Sequence, residues 1–162
     1  MKTVALVSRL NLVIYLAAFL IPFTFTQPQL ITGTIVNALI FISCEKLNRK
    51  MVWPILVLPS LGAVSRGLLF GPQTFFLLYF LPFIWLANYL QSTLFSLIRE
   101  QKYGVRVVMS ALTKYLVLFG VANIYLRLQV VPRIFTTSMG MIQLMTAIMG
   151  GGLAYIWLKS KN

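Results

Sequence analysis

Apolar residues fall into six runs separated by short polar breaks, covering 10–25, 29–45, 51–70, 74–98, 105–126 and 134–158. A helix crossing the hydrocarbon core of a bilayer needs about 20 mostly apolar residues, in a range of about 17–25. The pattern therefore predicts six transmembrane helices. Each break has a physical cause. Gln27-Pro28-Gln29 places two amides around a residue without an N–H, and Gly71-Pro72-Gln73 is a turn signal. Glu45 to Lys50 is a charged hairpin, and Arg99 to Gly104 is charged and ends in glycine. Pro132, in the break from Gln129 to Arg133, suits a helix start. The first run lacks a small-x-small cleavage pattern after it, so it reads as a retained helix. No internal repeat stands out, and residues 1–162 read as one all-α integral membrane domain.

Composition strengthens this reading. Of the 162 residues, 59 % are hydrophobic and 10 % charged, against about 45–50 % and about 25 % in an ordinary soluble domain. Mean hydropathy is +0.88. A water-soluble domain of this size has too little interior to hide that much apolar surface.

Absences narrow the chemistry. There is no His, one Cys (Cys44) and only two carboxylates, Glu45 and Glu100. The chain alone cannot supply a zinc or iron–sulfur ligand set, a Ser-His-Asp triad or a pair of hydrolytic carboxylates inside a span. The expectation is a non-enzyme without a cofactor. The net charge of +12 would suit nucleic acid, but the cations punctuate apolar runs rather than clustering. They read as topology signals. Lys2, Arg9, Lys46, Arg49, Lys50, Arg99, Lys102, Arg106, Lys159 and Lys161 fall on one side, while Arg66, Arg127 and Arg133 fall on the other. Ten against three predicts that both termini are cytoplasmic and that the chain is a multi-pass plasma-membrane protein.

Polar residues within the runs must find partners, because lipid offers none. Asn88 and Gln91 are three apart, as are Gln143 and Thr146, so each pair shares a helix face. Ser110, Thr113 and Lys114 form a stripe on the fifth run. These groups are either interhelical glue or contacts to a ligand. Lys114 lies about 13 Å into its span at a rise of roughly 1.5 Å per residue, with no acid in any span to pair with it. It either extends its stem towards the cytoplasmic face or meets carbonyls, amides or an anionic ligand. Ala147 with Gly151, and Gly150 with Ala154, are small-x-x-x-small pairs that allow close helix packing or docking. Pro54, Pro59 and Pro82 lie within runs, where each frees a carbonyl.

Several stretches in order resemble a known family. These are Gln29-Leu30-Ile31-Thr32-Gly33-Thr34-Ile35-Val36-Asn37-Ala38, then Leu58-Pro59-Ser60-Leu61 with Gly67-Leu68-Leu69, then Leu81-Pro82-Phe83-Ile84-Trp85 followed by Asn88. Lys114 with Tyr115-Leu116-Val117-Leu118-Phe119, and Gln143-Leu144-Met145-Thr146-Ala147 with the glycines at 150–152, complete the set. Together they resemble the S components, the substrate-binding membrane subunits, of energy-coupling-factor transporters. The resemblance implies a six-helix bundle that binds a vitamin-like or other small solute and works with a membrane coupling protein and two ATPase subunits. The chain has no GxxxxGK[ST] loop of its own. It departs from the family on its first helix, where Ala17 and Ala18 are adjacent rather than spaced as Ala-x-x-x-Ala.

The candidate solute contacts are Asn37, Arg66, Asn88, Lys114 and Gln143, with Gln27 and Gln73 in gating loops and Ala147, Gly150 and Gly151 as packing or docking residues. The cationic outer loops and Lys114 point to an anionic solute. The alternative is a non-catalytic structural subunit of a larger membrane complex.

Overall fold

The computed structural model describes residues 2–25, 29–70 and 76–161, with side chains for 11–25, 29–67 and 76–161. The described residues form helices joined by turns, without a strand. In chain order the helices are α1 (Lys2–Thr24), α2 (Gln29–Lys46), α3 (Arg49–Phe70), α4 (Leu77–Leu97), α5 (Tyr103–Arg127), the single turn and a half of α6 (Ile134–Ser138) and α7 (Met141–Ser160). Tyr103–Arg127 and the stretch Ile134–Ser160 are long and apolar enough to cross a membrane by length and composition.

The helices follow the apolar runs with three differences. Helix α1 begins near the chain start rather than at residue 10. Helix α4 begins at Leu77, and 74–75 lie outside the described residues. The sixth run is not one helix. It breaks at Met139-Gly140, where Gly140 has φ −102° and ψ −108°. A Cβ at Gly140 would collide with the Thr136 carbonyl oxygen and the Phe119 ring. The backbone can turn there because glycine leaves the room empty. The preceding turn uses Gln129 at φ 56°, in the left-handed region that few non-glycine residues adopt.

The hydrogen bonds place helix ends in two groups. At one end Arg99, just past α4, donates to the Cys44 carbonyl at the end of α2, Arg106 of α5 pairs with Glu45, and the Tyr15 hydroxyl donates to the Met51 carbonyl of α3. At the other end Arg66 of α3 reaches the Phe23 and Thr24 carbonyls of α1. There too Gln29 reaches the Ser138 carbonyl, and the Tyr125 hydroxyl of α5 reaches the Tyr79 carbonyl of α4. The long helices therefore alternate in direction. The described cations of Lys46, Arg49, Arg99, Arg106 and Lys159 gather at the first end.

Helices α5 and α7 carry their faces in reverse of those in a water-soluble bundle. On α5 the exposed residues include Val105, Val108, Met109, Leu112, Leu116 and Phe119, while the buried ones include Arg106, Ser110, Ala111 and Lys114. On α7 the large residues Met141, Met145, Ile148, Met149, Leu153 and Ile156 face out, while Thr146, Ala147, Gly150, Gly151 and Ala154 face in. Small and polar inside with bulky and apolar outside is the arrangement that a lipid surround favours.

Two apolar clusters are stacked along the bundle. One joins Ile14, Ala18, Phe41, Ile55, Phe95 and Val107 near the cationic end. The other joins Phe80, Ala87, Leu118, Ala122, Val131 and Met139 near the opposite end. Helices α2 and α7 pack closely between them. A Cβ on Gly150 would stand 2.6 Å from the Asn37 Cβ, 2.7 Å from the Thr34 carbonyl oxygen and 2.8 Å from the Ala38 nitrogen. Ala147, Gly150 and Gly151 are buried inside the bundle.

Candidate solute site

A layer of polar side chains crosses the bundle between α2, α5, α4 and α7. Asn37 is its hub and is 1 % exposed. Its Oδ1 accepts from Lys114 Nζ at 2.9 Å and from Gln91 Nε2 at 3.2 Å. Its Nδ2 donates to the Gly33 carbonyl at 2.8 Å and to Thr146 Oγ1 at 3.3 Å. Thr146 passes its own proton to the Gln143 carbonyl at 3.1 Å. This chain of bonds fixes the orientation of the Asn37 amide, because only an oxygen can face the lysine and only an NH₂ can satisfy the two acceptors.

Lys114 is 3 % exposed. An ammonium carries three donors, and Asn37 Oδ1 is its one hydrogen-bond partner among the described residues. No carboxylate accompanies it. Glu45 pairs with Arg106 at the cationic end, and Glu100 is exposed at the same end. Two buried acceptors, Asn88 Oδ1 and Gln91 Oε1, have no partner. Asn88 spends its NH₂ on the Leu56 carbonyl of α3 at 2.9 Å.

Part of this layer borders a cavity of about 300 Å³. It extends from the polar layer towards the end of the bundle opposite the cations. Asn37, Asn88, Lys114 and Gln143 all line it, together with Gln29, Thr32, Ser60 and Ser138. The Gln143 amide makes no hydrogen bond among the described residues. Apolar walls come from Phe25, Val36, Pro59, Leu77, Ile84, Phe135 and Met139. Among its lining residues the cavity has one cation and no acid. Its walls therefore offer one cationic donor, amides and hydroxyls against an apolar surface, a combination that suits an acceptor-rich or negatively charged molecule with an apolar body.

Four of the five expected contacts therefore meet in one cavity. Arg66 does not line it. Its Nη1 instead donates to the Phe23 and Thr24 carbonyls at 3.1 and 2.7 Å, where α1 ends without intrahelical partners for its last carbonyls. Gln27 and Gln73, expected in gating loops, lie outside the described residues. Of the expected stripe Ser110 and Lys114 are buried, whereas Thr113 is half-buried and its hydroxyl donates to the Met109 carbonyl of its own helix. Arg106, counted above as a loop cation, is 8 % exposed. It donates to Glu45 Oε1 at 2.6 Å and to the Phe95 carbonyl at 3.0 Å, and its guanidinium lies 4.0 Å from the centre of the Phe95 ring.

Sequence reasoning missed Gln29, Thr32 and Ser60 as lining residues. A face signal was present on α2, where Gln29, Thr32, Gly33, Val36 and Asn37 recur at the spacing of one helical face. No family model, curated protein or solved structure matches the chain.

Proposed function

We propose that this chain is a six-span membrane protein that binds a small anionic solute in the cavity beneath Lys114, as the substrate-binding subunit of an ATP-driven importer of the energy-coupling-factor class. The observation that carries the reading is the lysine itself, buried beside a cavity with Asn37 Oδ1 as its one hydrogen-bond partner among the described residues and no acid. A cation held this way gains most from a ligand that brings the missing negative charge. Asn88 Oδ1 is an open acceptor on the same cavity and suits a donor on that ligand.

The membrane placement is supported by the outward apolar faces of α1, α5 and α7 and by helix lengths. The six long helices have 18–25 residues, or roughly 27–38 Å, against a hydrocarbon core of about 30 Å. Dependence on a separate motor is favoured because the cavity lacks the acid that proton-coupled carriers commonly use, and the chain lacks a phosphate loop. A membrane coupling protein and two ATPase subunits would supply the energy. In this reading the chain catalyses nothing itself. The polar cavity favours this over a purely structural subunit, whose core would have no reason to keep a lysine without a counter-ion.

The test begins with mass spectrometry of small molecules carried through purification from native membranes. Wild type is expected to carry an anion that Lys114→Met loses by about tenfold or more, which corresponds to about 1.4 kcal/mol. Concentrative uptake of that anion should appear only on co-expression with a coupling protein and two ATPases. Proton-driven uptake by the purified chain alone in liposomes would overturn the importer assignment, and a cationic co-purified solute would overturn the site.

A further inference from the structure

A second cleft lies at the opposite, cationic end of the bundle, between the start of α3 and the end of α4. Its volume is about 270 Å³. Two arginines border it, Arg49 from the first residue of α3 and Arg99 from beyond the end of α4. Each makes a single hydrogen bond among the described residues. Arg49 Nη2 donates to the Tyr89 hydroxyl at 3.3 Å, and Arg99 Nη2 donates to the Cys44 carbonyl at 3.1 Å. A guanidinium has five N–H donors, so most of their capacity is left over. Neither arginine is in an ion pair among the described residues. No carboxylate lines the cleft, whereas the Thr93 and Ser96 hydroxyls do.

The other wall is apolar and aromatic. Trp53 stacks on Tyr89 with ring centroids 5.2 Å apart and planes 20° from parallel. Trp53 is also half-exposed on the outside of the bundle, so the cleft continues onto the surface that faces lipid in the membrane reading. Guanidinium and hydroxyl donors around an anion-sized space suit a phosphate group. An indole at the mouth suits the boundary between headgroup and acyl chain. Basic pockets between spans on the cytoplasmic side are a recurring way of holding phospholipid headgroups.

We infer that this cleft binds the phosphodiester headgroup of an anionic phospholipid, with Arg49 and Arg99 on the phosphate and the Trp53–Tyr89 pair beside the first carbons of the acyl chains. A free phosphate would meet the same two arginines but would leave the aromatic wall unused. The cleft shares no lining residue with the solute cavity, and what it binds is independent of what that cavity binds. It does rest on the chain lying in a membrane.

Native mass spectrometry of the full chain in detergent tests it. Phosphatidylglycerol or phosphatidylcholine is added, and inorganic phosphate is present at millimolar level in a parallel arm. Wild type is expected to retain phosphatidylglycerol at least fivefold more than phosphatidylcholine, and phosphate should leave it in place. The double variant Arg49→Gln, Arg99→Gln should lose the excess, while Lys159→Gln, a cation of the same end that does not line the cleft, should keep it. Because Arg99 also caps α2, the single variant Arg49→Gln serves where the double variant does not fold, with at least a twofold loss expected. Equal retention of the two lipids, unchanged retention in these variants, or displacement by inorganic phosphate would each overturn the lipid site. Carbonate extraction of the native membranes separates the causes. A chain that resists carbonate yet shows no lipid preference removes this inference alone, and a chain released by carbonate removes the membrane reading as well.

Discussion

Asn37 uses both ends of its amide inside the bundle, and that makes it the residue on which the polar layer depends. Asn37→Ala removes the acceptor for Lys114 and Gln91 and the donor to Thr146 at once. A buried polar group left unsatisfied costs about 1–3 kcal/mol, and more where it is charged. The variant should melt well below wild type in detergent. Lys114→Met should behave in the opposite way. It keeps the unbranched stem and removes a cation that has no acid partner, so its melting temperature should match or exceed that of wild type while anion binding is lost. A Lys114→Met protein that melts lower than Asn37→Ala would show that the lysine holds the bundle together rather than serving a ligand. The residues of this layer were legible in the sequence because an amide or ammonium amid apolar neighbours stands out against its surroundings. Arg66 and Arg106 were not legible. What they do is set by the chain across from them, the terminal carbonyls of α1 in one case and Glu45 with Phe95 in the other, and neither neighbour is near in sequence.

At the level of elements, the glycines of α7 separate by the face on which they sit. Gly150 backs onto α2 so closely that any Cβ meets its backbone. Gly152 is exposed, with nothing within 4 Å of where a Cβ would lie. Gly150→Ala should push α2 and α7 apart and destabilise the protein by about 1–3 kcal/mol, the usual range for overpacking. Gly152→Ala should leave stability unchanged or raise it by up to roughly 1 kcal/mol, because glycine is a poor helix former. Thermal melting of the two variants side by side checks this, and equal losses would mean that the α2–α7 contact is looser than described. The contrast explains what the sequence concealed about the last span. The run of small residues marks a packing face but not its partner, and it hid the break at Gly140, because residues 134–158 stay apolar across the turn. Hydrophobic length alone cannot register a local turn that lipid or protein covers equally well. The other five elements were readable because charges or prolines interrupt the apolar pattern where the chain reverses.

For the molecule as a whole, orientation follows from where the cations stand relative to the two cavities. Arg106 is withdrawn from the tally by its ion pair with Glu45, which leaves nine against three from the ten and three counted along the chain. The bias survives, and in the proposed membrane reading it puts the end carrying Arg49, Arg99 and Lys159 in the cytoplasm. Under that proposal the solute cavity would open outwards, towards the side on which an importer must collect its cargo, and the arginine cleft would face the inner leaflet, where anionic headgroups concentrate. Both placements hang on one orientation, so a single labelling experiment tests them together. Gln129 is exposed in the turn after α5, and Ser160 is exposed near the cationic end of α7. The native thiol, Cys44, is buried and should give little background. With a membrane-impermeant maleimide on intact cells, Gln129→Cys should label at once. Ser160→Cys should label only after the membrane is permeabilised. The reverse pattern would place the cavity mouth in the cytoplasm, which would remove the import direction while leaving the anion chemistry of Lys114 untouched. Labelling of both positions in intact cells would mean that α7 does not cross the bilayer, and the six-span reading would fail with it.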